Sequence, residues 1–190
     1  MIDSGTVGIV EIDSLDNEAM TVTISHNRIG GVETGILVGI TRDDILTIDG
    51  NTITDVDDGI AIAGGVTNSA VSVTNNDVTS AVDALRFVSG AVSDSDLDIL
   101  DNLLNAGDDG VFFEGASQGW SVVDIVGTAI SAGDNGVEFA GKVEDHAHVG
   151  GQDLQEGGKG SRQVKGDGLR GVVVGDGVLD RLAAGQVVAR

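Results

Sequence analysis

Two pairs of adjacent acids, Asp57-Asp58 and Asp108-Asp109, each stand directly before a glycine, and they are the residues best suited to chemistry. Neighbouring carboxylates can serve as general acid and base, or supply the hard oxygen ligands that a divalent cation collects. Glu33, Asp83 and Asp134 fall at related positions. Three roles compete for this set: solvated turn acids, calcium ligands that bridge neighbouring turns, and catalytic carboxylates. Turn acids are the commonest, because a hard-cation site needs several converging oxygens. The calcium reading assigns Asp57, Asp58, Asp108 and Asp109; no other cofactor is required. Arg86 joins Asp108 and Asp109 as a catalytic candidate, although a lone Arg among acids is more often their counterion. Phe112 and Trp120 offer flat faces for a sugar, with Arg86 and Glu138 as polar flanks of a ligand-binding surface. His146 and His148, beside Glu144 and Asp145, are metal-ligand types, but two histidines in a Gly-rich stretch are more often incidental.

The elements that position these residues follow from an internal repeat. An apolar residue is followed three positions later by Asn, and a Gly-apolar-x-apolar run begins eleven after the start: Ile24, Asn27, Gly35; Ile48, Asn51, Gly59; Val73, Asn76, Ala84; Ile99, Asn102, Gly110; Ile125, Thr128, Gly136. Successive copies start 24, 25, 26 and 26 residues apart, and a weaker copy around Gly8-Ile9-Val10 precedes them. Short period-2 runs rich in β-branched residues, bounded by Gly, Asn and Asp, read as strands. A unit this short cannot bury its own apolar face, so neighbouring units must stack with their strands in parallel. The predicted fold is all-β, a β-solenoid with coils of about 24 to 26 residues.

Alternation along the strands assigns faces. Ile36, Ile60, Leu85, Val111 and Val137, with Val38, Ile62, Phe87, Phe113 and Phe139, should point inward. Leu37, Ala61, Arg86, Phe112 and Glu138 should point outward, as should Thr23, Thr47, Ser72, Asp98 and Asp124 on another strand. The column Asn27, Asn51, Asn76 and Asn102 reads as a stacked structural turn, since Asn tolerates the left-handed backbone and bonds to neighbouring amides.

These spacings resemble the right-handed parallel β-helix repeat family, the pectate-lyase-like superfamily, over residues 20 to 141. The resemblance implies a single-stranded right-handed helix, and an extracellular, cell-surface or virion setting. It names no activity, because the superfamily spans lyases, hydrolases, adhesins and structural repeats. Asp108-Asp109-Gly110 echoes the acid pair of its polygalacturonase-like members, but no histidine is flanked by Gly on both sides and no Arg-x-Lys occurs. There is no Tyr for the epimerase-like motif.

Composition narrows the partners. Ten Lys and Arg against 31 Asp and Glu give a net charge of −21, which argues against nucleic acid and anionic lipid. No apolar run is long enough for membrane insertion, and the first residues do not read as a signal peptide. Without Cys, disulfides are excluded. Residues 1–149 are expected to form the solenoid, and 150–190 a Gly-rich extension that caps it or docks on a partner. Val178–Ala184 is expected as a short helix ended by Gly185. Open solenoid ends present unpaired edges, so self-association or neighbouring subunits are expected there. The expected function is a non-catalytic structural or surface-interaction module. The alternative is a carbohydrate-active enzyme or glycan-binding module acting on polysaccharide.

Overall fold

A computed structural model describes residues 5–11, 19–39, 41–88, 90 and 92–141 in full, and beyond them the backbone of strands between His148–Gln152 and Gln186–Val188. The chain is a parallel β-solenoid, and each turn passes along four walls. The first wall is a seven-stranded sheet: Thr21–Ser25, Ile45–Asp49, Ala70–Thr74, Asp96–Leu100, Val122–Val126, His148–Gln152 and Val173–Val174. The second and third walls share one larger sheet. In the first two complete turns they are single long strands, Arg28–Val38 and Thr52–Ala63. Later turns split them, as in Asp77–Ser80 and Leu85–Val88. The fourth wall is a four-stranded ladder of two-residue strands, Thr41–Arg42, Val66–Thr67, Val92–Ser93 and Ser117–Gln118.

The register follows the repeat. Ile24 faces Ile48, then Val73, Ile99 and Ile125 on successive turns. The weak leading copy is present too, with Ile9 beside Ile36 in a parallel pair. Pairing also runs on past Gly141: His148–Gln152 continues the first wall, Gln155–Glu156 the second and Ser161–Lys165 the third. The stretch expected as a helix instead carries strand Asp180–Leu182, antiparallel to Gln186–Val188. The stretch Val-Leu-Asp-Arg-Leu-Ala-Ala, with polar and apolar residues mixed over a single helical turn or two, suits an extended chain as well, and here strand pairing wins.

Every residue assigned inward is buried, and the described residues form one core of Ile, Val, Leu and Phe. Like stacks on like: Phe87, Phe113 and Phe139 lie in parallel stacks with centroids 4.5 and 4.4 Å apart. Each buried aliphatic side chain contributes roughly 1.5–3 kcal/mol. That term does not choose a register by itself, because sliding a turn by two residues would keep apolar groups inside.

Register is fixed at the corners. Between the first and second walls, the backbone N–H groups of Asn27, Asn51 and Asn76 each donate to the Oδ1 of the next Asn, at 2.9, 3.0 and 3.0 Å. The same Oδ1 atoms accept the Nδ2 of the preceding Asn at 3.0 Å. A second N–H of Asn51, Asn76 and Asn102 reaches back to the carbonyls of Ile24, Ile48 and Val73. Thr128 ends the ladder with its hydroxyl. The residue before each rung is left-handed: His26, Gly50, Asn75, Asp101 and Gly127 have φ of 53 to 64°.

A second ladder closes the turn between the fourth wall and the first. Asp44 Oδ1 accepts the Met20 N–H at 2.8 Å, while the N–H groups of Asp44 and Ser69 donate to the hydroxyls of Ser69 and Ser95 at 3.1 Å. Here Asp43, Asn68, Asp94 and Gly119 are the left-handed residues. An extra residue, Trp120, sits between Gly119 and the rung position Ser121, and its N–H donates to Asp94 Oδ1. That insertion leaves the indole 70% exposed.

Asn76 is 1% exposed and bonds to two neighbouring turns, so Asn76→Ala strands the Asn51 N–H and the Ile48 carbonyl in the interior. Unsatisfied buried groups cost about 1–3 kcal/mol each. Chemical denaturation should show Asn76→Ala losing about 3 kcal/mol or more, against about 0.5 kcal/mol or less for Thr23→Ala on the outer face.

Candidate functional site

The third corner, between the second and third walls, collects most of the residues singled out for chemistry. Asp58, Asp83, Asp109 and Asn135 occupy successive rungs beside the wall that carries Arg86, Phe112 and Glu138. Glycines at 35, 59 and 110 let the chain pass close to the next turn: a Cβ on Gly59 would lie 2.4 Å from the Ala84 carbonyl oxygen. The column Leu37, Ala61, Arg86, Phe112 and Glu138 forms in ladder register, but Ala61, expected at the surface, is buried at 4% exposure.

The acids here act as ladder rungs. Asp83, 4% exposed, accepts the Asp109 N–H through Oδ1 at 3.2 Å. Asp109, 5% exposed, accepts both the backbone N–H and the Nδ2 of Asn135, at 2.9 and 3.0 Å. Asn135 Nδ2 also donates to Glu138 Oε2 at 2.9 Å. Arg86 lies between two turns, with Nε 3.7 Å from Asp83 Oδ2 and Nη1 3.7 Å from Asp58 Oδ2. Its guanidinium also rests 5.6 Å from the Phe112 ring centroid. One cation therefore faces Asp58 and Asp83, with Asp109 and Glu138 close behind.

This crowding shows in the acidities. Burial pushes the Asp83 carboxyl up to about 6, against the opposing pull of the Asp109 N–H and Arg86. Asp109 is raised as well, by burial first and then by the charge and hydrogen bond of Glu138, against the lowering hydrogen bonds from Asn135. An Asn rung both donates and accepts, whereas an ionised Asp only accepts. On the first wall, burial and the charges of Asp124 and Asp96 raise Asp98.

Asp57 and Asp58 are not gathered with Asp108 and Asp109. The chain at Val82-Asp83 runs between them, hydrogen-bonded to Asp57 on one side and Asp108 on the other. Two rung spacings separate the pairs by roughly 9.6 Å, beyond a single ion's reach. Among the described residues, acids gather in threes with oxygens within 4.8 Å of one another at Asp83, Asp108 and Asp109, and at Asp109, Asp134 and Glu138. Trp120 stands at the Ser corner, away from Phe112 on the third wall. His146 lies outside the described residues, and His148 is described only as strand backbone. Asp83 was legible as a column member and Asn135 was missed, because it breaks the run of acids; the roles of both as rungs show only once the turns are stacked.

Searches against family models, curated proteins and solved structures return no match for this chain.

Because the folded Asp83 pKa lies above the ordinary value near 4, its contribution to stability is complete below about pH 4 and is lost as pH rises through about 6. The loss is of the order of 2–3 kcal/mol. Asp83→Asn and Asp109→Asn, which extend the Asn135 pattern, should therefore raise the melting temperature at neutral pH. They should also shrink the difference between melts at mildly acidic and neutral pH; a wild-type pH profile in both variants would contradict this account of the corner.

Proposed function

We propose that this chain is a non-catalytic structural or surface-interaction module. It is of the right-handed parallel β-helix kind seen in pectate-lyase-like proteins, and it works in an extracellular, cell-surface or virion assembly. The observation that carries the proposal is the use made of the candidate catalytic groups. Asp109 holds the Asn135 rung and Arg86 bridges Asp58 and Asp83 across a turn, so the groups that chemistry would need are committed to joining turns. Among the described residues no histidine stands at this corner; His26 belongs to the Asn corner.

The short, even turns support the same reading, because among the described residues no long loop flanks the third wall to enclose a substrate. The net charge of −21 also disfavours an anionic polysaccharide. Thr21–Ser25 and Thr41–Arg42 each pair on one side only among the described residues, and further copies or neighbouring subunits are the proposed partners for such edges. A second reading, a neutral-glycan-binding module, is favoured by Trp120, whose exposed indole is held out by a one-residue insertion.

Incubation with pectate, alginate and neutral glycans should yield no cleavage products, and Arg86→Ala should lower stability by about 1–3 kcal/mol by leaving Asp83 without its counterion. Cleavage by the wild type that disappears in Arg86→Ala at an unchanged melting temperature would overturn the proposal.

A further inference from the structure

The net charge of −21 hides an uneven distribution along the chain. Residues 1–18 carry Asp3, Glu11, Asp13, Asp16 and Glu18 and no Lys or Arg. Residues 157–190 carry Lys159, Arg162, Lys165, Arg170, Arg181 and Arg190 against three Asp, and so are positive. The topology brings the two stretches to opposite ends of the solenoid. Gly5–Glu11 and Thr21–Ser25 are edge strands of the large sheet and the first wall at the N-terminal end; Asp180–Leu182 and Val173–Val174 are their counterparts at the other. Seven first-wall strands at roughly 4.8 Å spacing set these ends about 30 Å apart. Screening acts over about 8 Å at physiological salt, so each end interacts by its own charge.

The N-terminal end is also structurally open. Gly5–Glu11, Thr21–Ser25 and Thr41–Arg42 each pair on one side only among the described residues. Ile9 and Val22 are only partly buried against the core, whereas Ile36 and Leu46, one turn on, are 0 and 1% exposed. At the Asn corner, Oδ1 of Asn51, Asn76 and Asn102 each accepts two N–H groups of the preceding turn. Asn27 Oδ1, on the first rung, accepts none among the described residues. At the far end Val173–Val174 and Asp180–Leu182 likewise pair on one side only among the described residues. An acidic end that lacks a strand, an apolar cover and N–H donors fits a basic end with open strand edges.

Two N-terminal ends would meet acid against acid, and two C-terminal ends cation against cation. Opposite charges face each other only when chains run head to tail. Such a contact is heterologous and leaves a free end on each side, so it propagates. Resting on the reading of this chain as a structural module, we propose that its N-terminal end binds the C-terminal end of a second copy, adding chains into a linear array. The edges of Gly5–Glu11 and Thr21–Ser25 receive, and residues 157–190 dock.

Sedimentation velocity and light scattering of the full chain at near-physiological salt should give masses that rise with concentration past the dimer. Raising sodium chloride further should weaken association, because the end charges are then screened. The triple variant Asp13→Lys, Asp16→Lys, Glu18→Lys and the triple variant Arg170→Glu, Arg181→Glu, Arg190→Glu each give both ends the same sign, and each should weaken association about 10-fold or more. Mixed in equal amounts, the two variants again present opposite ends to each other and should associate as the wild type does, which also shows that both are folded. The first variant is less negative overall than the wild type, so relief of net repulsion alone would make it associate more. The proposal is overturned by a wild-type mass of one chain at every concentration, by wild-type association that strengthens as salt is raised, by association that rises in the first variant, or by a mixture no more associated than its components. A monomer that cleaves no polysaccharide overturns this inference and leaves the module reading in place, whereas cleavage by a head-to-tail array overturns that reading alone.

Discussion

The structure depends on hydrogen bonds made sideways, from each turn's corner to the next, by side chains that have left water. A solenoid turn of about 25 residues has too little apolar surface to fold alone. Its core of stacked Ile, Val, Leu and Phe supplies the attraction but little positional information. The corners supply the position. At the Asn corner, an amide oxygen accepts two N–H groups from one neighbouring turn and the amide nitrogen gives its two protons away, so a rung out of place leaves several buried polar groups unpaired at once. At the Ser corner hydroxyl oxygens accept the N–H of a neighbouring turn, and at the Asp corner carboxylate oxygens do so without donating in return.

Seen this way, the acidity of the third corner is a structural compromise with consequences for function. Asp83 and Asp109 occupy positions where an amide would satisfy both neighbours, and their raised pKa values record the mismatch. Arg86 relieves part of it and gains a resting place on Phe112. The same contacts that steady the turns are the ones in which these groups are engaged.

Much of this was legible in the sequence because the repeat is strict in its middle: the eleven-residue spacing predicted the inward columns, the outward stripe and the Asn ladder. The Ser corner was hidden because its rungs change type, from Asp44 to Ser69, Ser95 and Ser121, and because Trp120 shifts the count by one. The role of Asp83 and Asp109 was hidden for a different reason. A column of acids reads as repulsion along the chain, and only the stacked backbone shows that each carboxylate faces a donor in the next turn. The continuation beyond Gly141 escaped the pattern because Gly150 and Gly151 occupy positions held by Asp124 and Ile125 one turn earlier.

Residue-resolved native-state hydrogen exchange tests the central claim most directly. If buried side-chain ladders hold the turns together, the corner amides of Asn51, Asn76, Ser69, Asp109 and Asn135 will exchange as slowly as the strand amides of Ile48, Val73 and Ile99, all opening in one cooperative unit. Fast, loop-like exchange at those corners, with protection confined to the strands, would contradict the account and return the burden of register to the backbone sheets alone.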